Sequence, residues 1–109
     1  VNWFRRDADG GFLWPGFGEN SRVLKWVIER LEGSAAAVET PVGHVPTQDS
    51  LDTEGLGLTD EQIAAVLAVD TKEWRAEIPQ IAEWFDKIGD TLPSTMRDEL
   101  ETLKRRLDV

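Results

Sequence analysis

Phe12-Leu13-Trp14-Pro15-Gly16-Phe17-Gly18-Glu19-Asn20 separates two kinds of chain. Before it, Val1-Asn2-Trp3-Phe4-Arg5 alternates in apolar character like a short strand. Asp7-Ala8-Asp9-Gly10-Gly11 then supplies residue types that tolerate the positive φ of a tight turn. Phe12-Leu13-Trp14 resumes the extended run until Pro15-Gly16 ends it, so a β-hairpin over Val1 to Trp14 is predicted. After Asn20 the period changes. Val23, Leu24, Val27, Ile28 and Leu31 form a helical apolar stripe opposite Arg22, Lys25, Glu29 and Arg30. This predicts a helix over 20–33, capped by Glu19 or Asn20 and ended by Gly33.

Further along, residues 34–58 are aperiodic and carry Thr40-Pro41, Val45-Pro46 and Gly55-Leu56-Gly57. They read as an irregular connector that packs through Val42, Val45, Leu51 and Leu56. Helices return over 59–109. Thr59-Asp60-Glu61-Gln62 has capping-box spacing ahead of the apolar run Ile63 to Val69, and Asp70-Thr71-Lys72-Glu73 repeats the start signal. Trp74, Ile78, Ile81, Phe85 and Ile88 make the next stripe, with Pro79 inside it expected to bend or divide the helix. Met96, Leu100, Leu103 and Leu107 make the last one, closing on Lys104-Arg105-Arg106, where cations suit a helix C-terminus. The fold class is α+β and mainly helical: an N-terminal hairpin or extended aromatic segment, then about four helices, in a single segment over 1–109. The start on Val1, without Met and directly in an apolar segment, reads as the edge of a longer chain.

Charge and aromatic content divide at the same place. Of 109 residues, 12 are Lys or Arg and 21 Asp or Glu, a net −9. Residues 1–33 balance five basic groups against five acidic ones, so the whole excess lies beyond them. Six of the nine Trp and Phe residues fall within the first 26 positions. An anionic small ligand meets least repulsion there, whereas duplex nucleic acid and anionic membrane, which need basic patches, are disfavoured as partners. No cysteine is present, which excludes disulfides, a thiolate nucleophile and sulfur-ligated metal. The sequence shows neither a signal-peptide pattern nor an apolar run long enough to span a bilayer, and a soluble, cytoplasmic protein is expected.

Catalytic signals are sparse. The lone His44 sits in the connector without a second His for a metal site. No Gly precedes Lys, so the phosphate loop ending in Gly-Lys-Ser/Thr is missing, and Gly16-Phe17-Gly18 lacks the third Gly of the dinucleotide fingerprint. The carboxylates lie on polar helix faces and make no defined pair. What remains is the loop quoted first, with Phe4 before it. An aromatic on a Gly-flanked loop at a helix start can stack on a heterocycle. The first helical N–H groups and the Asn20 amide can address that ring's polar edge. The competing reading makes Phe4, Phe12 and Phe17 hairpin core. A second class of function, a small helical interaction module whose exposed Trp and Phe residues meet a Pro-rich peptide or partner protein, also stays open.

Val1-Asn2-Trp3-Phe4-Arg5 and Phe12 through Leu24 resemble the C-terminal part of the GTP-dependent phosphoenolpyruvate carboxykinases. The similarity continues past Thr40-Pro41-Val42-Gly43, Val45-Pro46 and Gly55-Leu56 to the Trp74 and final helices. The resemblance implies a fragment of a larger α/β nucleotide-binding domain. It implies an enzyme, a decarboxylating lyase of gluconeogenesis, that interconverts oxaloacetate and GTP with phosphoenolpyruvate, GDP and carbon dioxide using manganese or magnesium. In that family the matched stretch forms the guanine pocket: Phe12 and Phe17 sandwich the base and Phe4 lines the edge. Asn20 hydrogen-bonds guanine there, and backbone from Phe17 through Gly18 and Glu19 adds contacts. The family's phosphate loop, metal ligands, reactive Cys and lid have no match here and are expected upstream of Val1. The implied partners are a guanine nucleotide and the remainder of the parent enzyme. The isolated chain is expected to be inactive.

Overall fold

In the computed structural model, which describes residues 2–109, the chain is helix-rich with one small antiparallel sheet. Its elements are α1 (Asn20–Leu31), β1 (Ala37–Thr40), β2 (Gly43–Pro46), α2 (Asp60–Leu67), α3 (Thr71–Ile88) and α4 (Ser94–Arg106). One-turn 3-10 segments precede α1 (Phe17–Glu19) and follow α3 (Gly89–Thr91). The residues group into two compact units, the first running through Glu39 and resuming over His44–Ala68, the second made of Thr40–Gly43 and Val69–Val109.

The first unit is built around tryptophan. Trp14, Trp26, Ala35 and Leu51 form its buried centre, with Trp3, Val23, Ala37, Val66 and Leu67 packed against them. The Trp26 indole donates to the Ala36 carbonyl at 3.2 Å and to Ser50 Oγ at 3.1 Å, so its polar atom is satisfied inside the core. The capping box of α2 forms as its spacing predicts: Thr59 Oγ1 accepts from the Gln62 N–H at 3.2 Å and Gln62 Oε1 from the Thr59 N–H at 2.9 Å. At the other end of α2, Arg5 donates to the carbonyls of Val66 at 3.3 Å and Ala68 at 2.9 Å, groups the helix leaves unpaired.

Several expectations change. The hairpin predicted over Val1 to Trp14 contracts to a single antiparallel bridge, Arg6 to Phe12, around the Asp7–Gly11 turn, with Val1 outside the described residues. The turn itself is as predicted: Gly10 takes φ +83°, and Asp7 Oδ1 accepts from the N–H groups of Asp9 and Gly11. The bonds from the Asp7 N–H to Gly11 and from the Leu13 N–H to Arg5 set a register whose next donor on the second strand is Pro15, which has no N–H, so the ladder stops there. The connector 34–58 is not wholly irregular, since β1 and β2 form a hairpin in it across Pro41-Val42, with Thr40 Oγ1 donating to the Gly43 carbonyl at 2.6 Å. Helix α1 ends at Leu31, two residues early. Its apolar stripe is mostly outside: Val23 is half-buried, but Leu24, Val27, Ile28 and Leu31 are exposed, and the residue that α1 buries, Trp26, was not in that stripe.

In the second unit α3 packs on α4 through Ile78, Leu100 and Leu107, supported by Trp74, Ile81, Ala82, Phe85 and Leu103. Asp70 caps α3, its Oδ1 accepting from the N–H groups of Lys72 and Glu73. Pro79 does not divide α3, which runs unbroken to Ile88. Proline removes one intrahelical bond, and the apolar stripe on both sides of it holds the helix against α4. Arg75 Nε donates to the Leu107 carbonyl at 2.6 Å and closes the end of α4.

Candidate functional site

The quoted loop lies in the first unit, where Pro15-Gly16 leads into the 3-10 turn Phe17–Glu19 and then α1. The Glu19 N–H donates to the Gly16 carbonyl at 3.0 Å and closes that turn. Here large apolar side chains part company. Trp14 is 6% exposed and Trp26 8%, whereas Phe4 is 72%, Phe12 55% and Phe17 91% exposed. The reading of these three phenylalanines as hairpin core therefore fails. Burying an aromatic ring ordinarily stabilises a fold by about 1.5–3 kcal/mol, and three of four Phe residues forgo it.

The rings are not all brought together. Phe4 and Phe12 meet edge-on with centroids 6.4 Å apart and planes at 62°, while Trp3 and Trp14 pair separately at 6.0 Å. Arg6 holds its guanidinium carbon 4.3 Å above the Phe12 ring. Phe17 joins neither pair and projects from the turn.

Asn20 is the first residue of α1 rather than its cap; Glu19 holds the cap position and makes no side-chain cap bond. The Glu19 carboxylate instead accepts from Arg22 Nε at 2.6 Å. The Asn20 N–H donates to the Phe17 carbonyl, so the 3-10 turn runs directly on into α1 beside the exposed rings. Asn20 is half-buried, and its Oδ1 accepts from the Trp14 indole N–H at 2.8 Å. Gly18 is exposed, with open space where a Cβ would stand.

An ion-pair network fastens the helix start. Arg22 Nη1 reaches Asp52 Oδ1 at 3.3 Å and the Asp52 carbonyl at 3.1 Å, and Lys25 Nζ reaches Asp52 Oδ2 at 3.0 Å. The hydrogen bond to Glu19 raises the Arg22 guanidinium above its usual range, with the charges of Glu19 and Asp52 adding. Lys25 is raised by its bond to Asp52. The same bond, with the Glu54 N–H, lowers the Asp52 carboxyl. Sequence reading missed Arg6, Arg22 and Trp14 as parts of this site. Only Arg22 had a signal, the Glu19-x-x-Arg22 spacing across a helix start.

Among the described residues no group of three or more His, Cys, Asp or Glu side chains is placed to hold a metal. No helix is long and apolar enough to cross a membrane.

Residues 1–106 match the family model described as the phosphoenolpyruvate carboxykinase C-terminal P-loop domain. Curated relatives agree. The chain is 61% identical over 107 residues to the phosphoenolpyruvate carboxykinase (GTP) of Renibacterium salmoninarum, and 57% identical over 107 residues to that of Paenarthrobacter aurescens. Its identity to the protein of the same name from Treponema pallidum is 47% over 109 residues. These alignments cover 98–99% of the chain, which spans 18% of the length of each relative.

Proposed function

The chain belongs to the GTP-dependent phosphoenolpyruvate carboxykinase family, and from that premise we propose that it supplies the guanine-holding part of such an enzyme's active site. The parent enzyme interconverts oxaloacetate and GTP with phosphoenolpyruvate, GDP and carbon dioxide, a decarboxylation coupled to phosphoryl transfer that serves gluconeogenesis in the cytoplasm. In this reading Phe12 and Phe17 flank the base, Phe4 lines its edge, and Asn20 with the backbone of Gly18 and Glu19 meets its polar atoms. The observation that carries the reading is the exposure of Phe4, Phe12 and Phe17 at a helix start while Trp14 and Trp26 fill the core. Rings kept in water at a helix start gain their contacts from a ligand with a flat apolar face and a polar edge.

The phosphate and metal chemistry belongs to other parts of the parent enzyme. No Gly-Lys-Ser/Thr loop is present in this sequence, and among the described residues no three His, Cys, Asp or Glu side chains are grouped to hold a metal. The exposed face of α1, with Leu24, Val27, Ile28 and Leu31, suits a contact with the remainder of that enzyme.

Stacking contributes about 1–3 kcal/mol per base and each edge hydrogen bond about 0.5–1.5 kcal/mol. The sum, about 2–6 kcal/mol, brackets a millimolar dissociation constant. Titration followed by Trp fluorescence tests this. Guanosine, GDP and GTP are expected to bind the 109-residue chain weakly and alike, with adenosine weaker still. GTP binding far more tightly than guanosine places phosphate contacts in this chain and overturns the division of labour. Equal binding of guanosine and adenosine overturns the guanine site.

A further inference from the structure

An asparagine amide is ambidextrous. Its oxygen accepts, its NH2 donates, and a half-turn about χ2 exchanges them. A free Asn20 therefore suits guanine O6, an acceptor, with one orientation and adenine N6, a donor, with the other. On its own it confers little selectivity between the two purines.

The Trp14 indole removes that freedom. Its Nε1–H lies 2.8 Å from Asn20 Oδ1, and indole is a donor only. Flipping the amide brings two donors together across that gap and strands the N–H of a side chain that is 6% exposed. With the oxygen engaged, the NH2 group points away from Trp14. Among the described residues no buried side-chain polar atom lacks a partner, and Nδ2 has no protein acceptor among them, so this NH2 is open to solvent or ligand. We propose that Trp14 is a positioning residue that makes the pocket selective for guanine, by locking the Asn20 amide with its NH2 toward the base. Guanine O6 then gains a bond, and the adenine amino group meets another donor. One locked orientation supplies both the attraction and the rejection. The inference rests on the guanine-site reading and names what sets its selectivity.

The test compares GDP, ADP and IDP by calorimetry on the full-length enzyme carrying these residues, so that shared phosphate contacts cancel in the ratios. IDP keeps the O6 carbonyl and lacks the 2-amino group. Trp14→Phe keeps a buried ring and deletes the donor. The preference for GDP over ADP is expected to fall by about three- to tenfold, while the GDP to IDP ratio stays put. Loosened packing instead weakens all three ligands together, and an unchanged GDP to ADP ratio in a folded variant overturns the role of Trp14 while leaving the site intact. Absence of GDP preference in the unmodified enzyme defeats the site reading itself. Exchange of the 15N-labelled Trp14 indole N–H in the GDP complex of the unmodified enzyme needs no variant to fold. Slowed exchange supports the locked amide; rapid exchange overturns it.

Discussion

The two units sort their aromatic residues by different rules. In the second, Trp74 and Phe85 are half-buried against the Ile78–Leu100–Leu107 centre as the helical stripe demands, and Trp84, off that stripe, is exposed. In the first, the larger and more polar Trp14 and Trp26 lie inside, while Phe4, Phe12 and Phe17 stand in solvent. Phenylalanine is ordinarily the more fully buried of the two types. The inversion works because each buried indole finds an acceptor, Asn20 for Trp14 and Ala36 with Ser50 for Trp26. Burial in the first unit thus follows hydrogen-bond supply as much as apolarity, and its surplus apolar rings are left to meet something else.

Truncation sharpens this contrast most. Trp26→Ala removes a buried ring and leaves Ser50 and Ala36 short of a donor, so a loss of about 3–5 kcal/mol in unfolding free energy is expected from denaturant melts. Phe17→Ala, at an exposed position, is expected to change stability by less than about 0.5 kcal/mol. Its effect falls on guanosine affinity, reduced by about 1–3 kcal/mol in a fluorescence titration. Should Phe17→Ala unfold the chain as readily as Trp26→Ala, the division between core and ligand rings is wrong.

The same division explains what could be read in advance. Helix starts at Thr59 and Asp70 were legible because their capping bonds are local, three residues or fewer apart. The α3 and α4 stripes were legible because the two helices pack together along most of the faces their periodicity marks, with Ile88 and Met96 left exposed at the ends. The α1 stripe misled, since periodicity tells which residues share a face and not whether anything covers it; Leu31 is 84% exposed. The N-terminal ladder was overestimated because alternation does not record register, and the register here puts Pro15, which has no N–H, at the next donor position. Of the site, the loop and its rings were visible as a motif. The Trp14–Asn20 bond spans six residues across a proline and a 3-10 turn, which is neither helix nor strand spacing.

Local capping offers a milder perturbation. Thr59→Ala deletes one half of the capping box on α2, and about 1 kcal/mol of stability is expected to go with it. Because the Thr59 bonds touch none of the exposed rings, guanosine affinity should stay unchanged. A parallel fall in affinity shows that the ring positions depend on α2, which the comparison of core with ligand residues does not allow.

The smallest effect concerns the ion pairs. Those of the second unit, Lys87–Glu83, Arg97–Asp86 and Lys104–Glu101, join partners on helix surfaces and contribute little. Asp52 differs in fastening the start of α1 through Arg22 and Lys25. Its carboxyl is lowered by the Lys25 hydrogen bond and the Glu54 N–H, so the folded chain binds fewer protons there than the unfolded chain does. Stability from this group therefore rises with pH: it is fully present above the ordinary carboxylate value of about 4 and is lost as pH falls through the lowered one. Asp52→Asn should lower the urea midpoint slightly at pH 6, and the gap to the unmodified chain should narrow as the solution is acidified below about pH 4. A gap that widens in acid reverses the sign and means that Asp52 is not what holds the helix start in place.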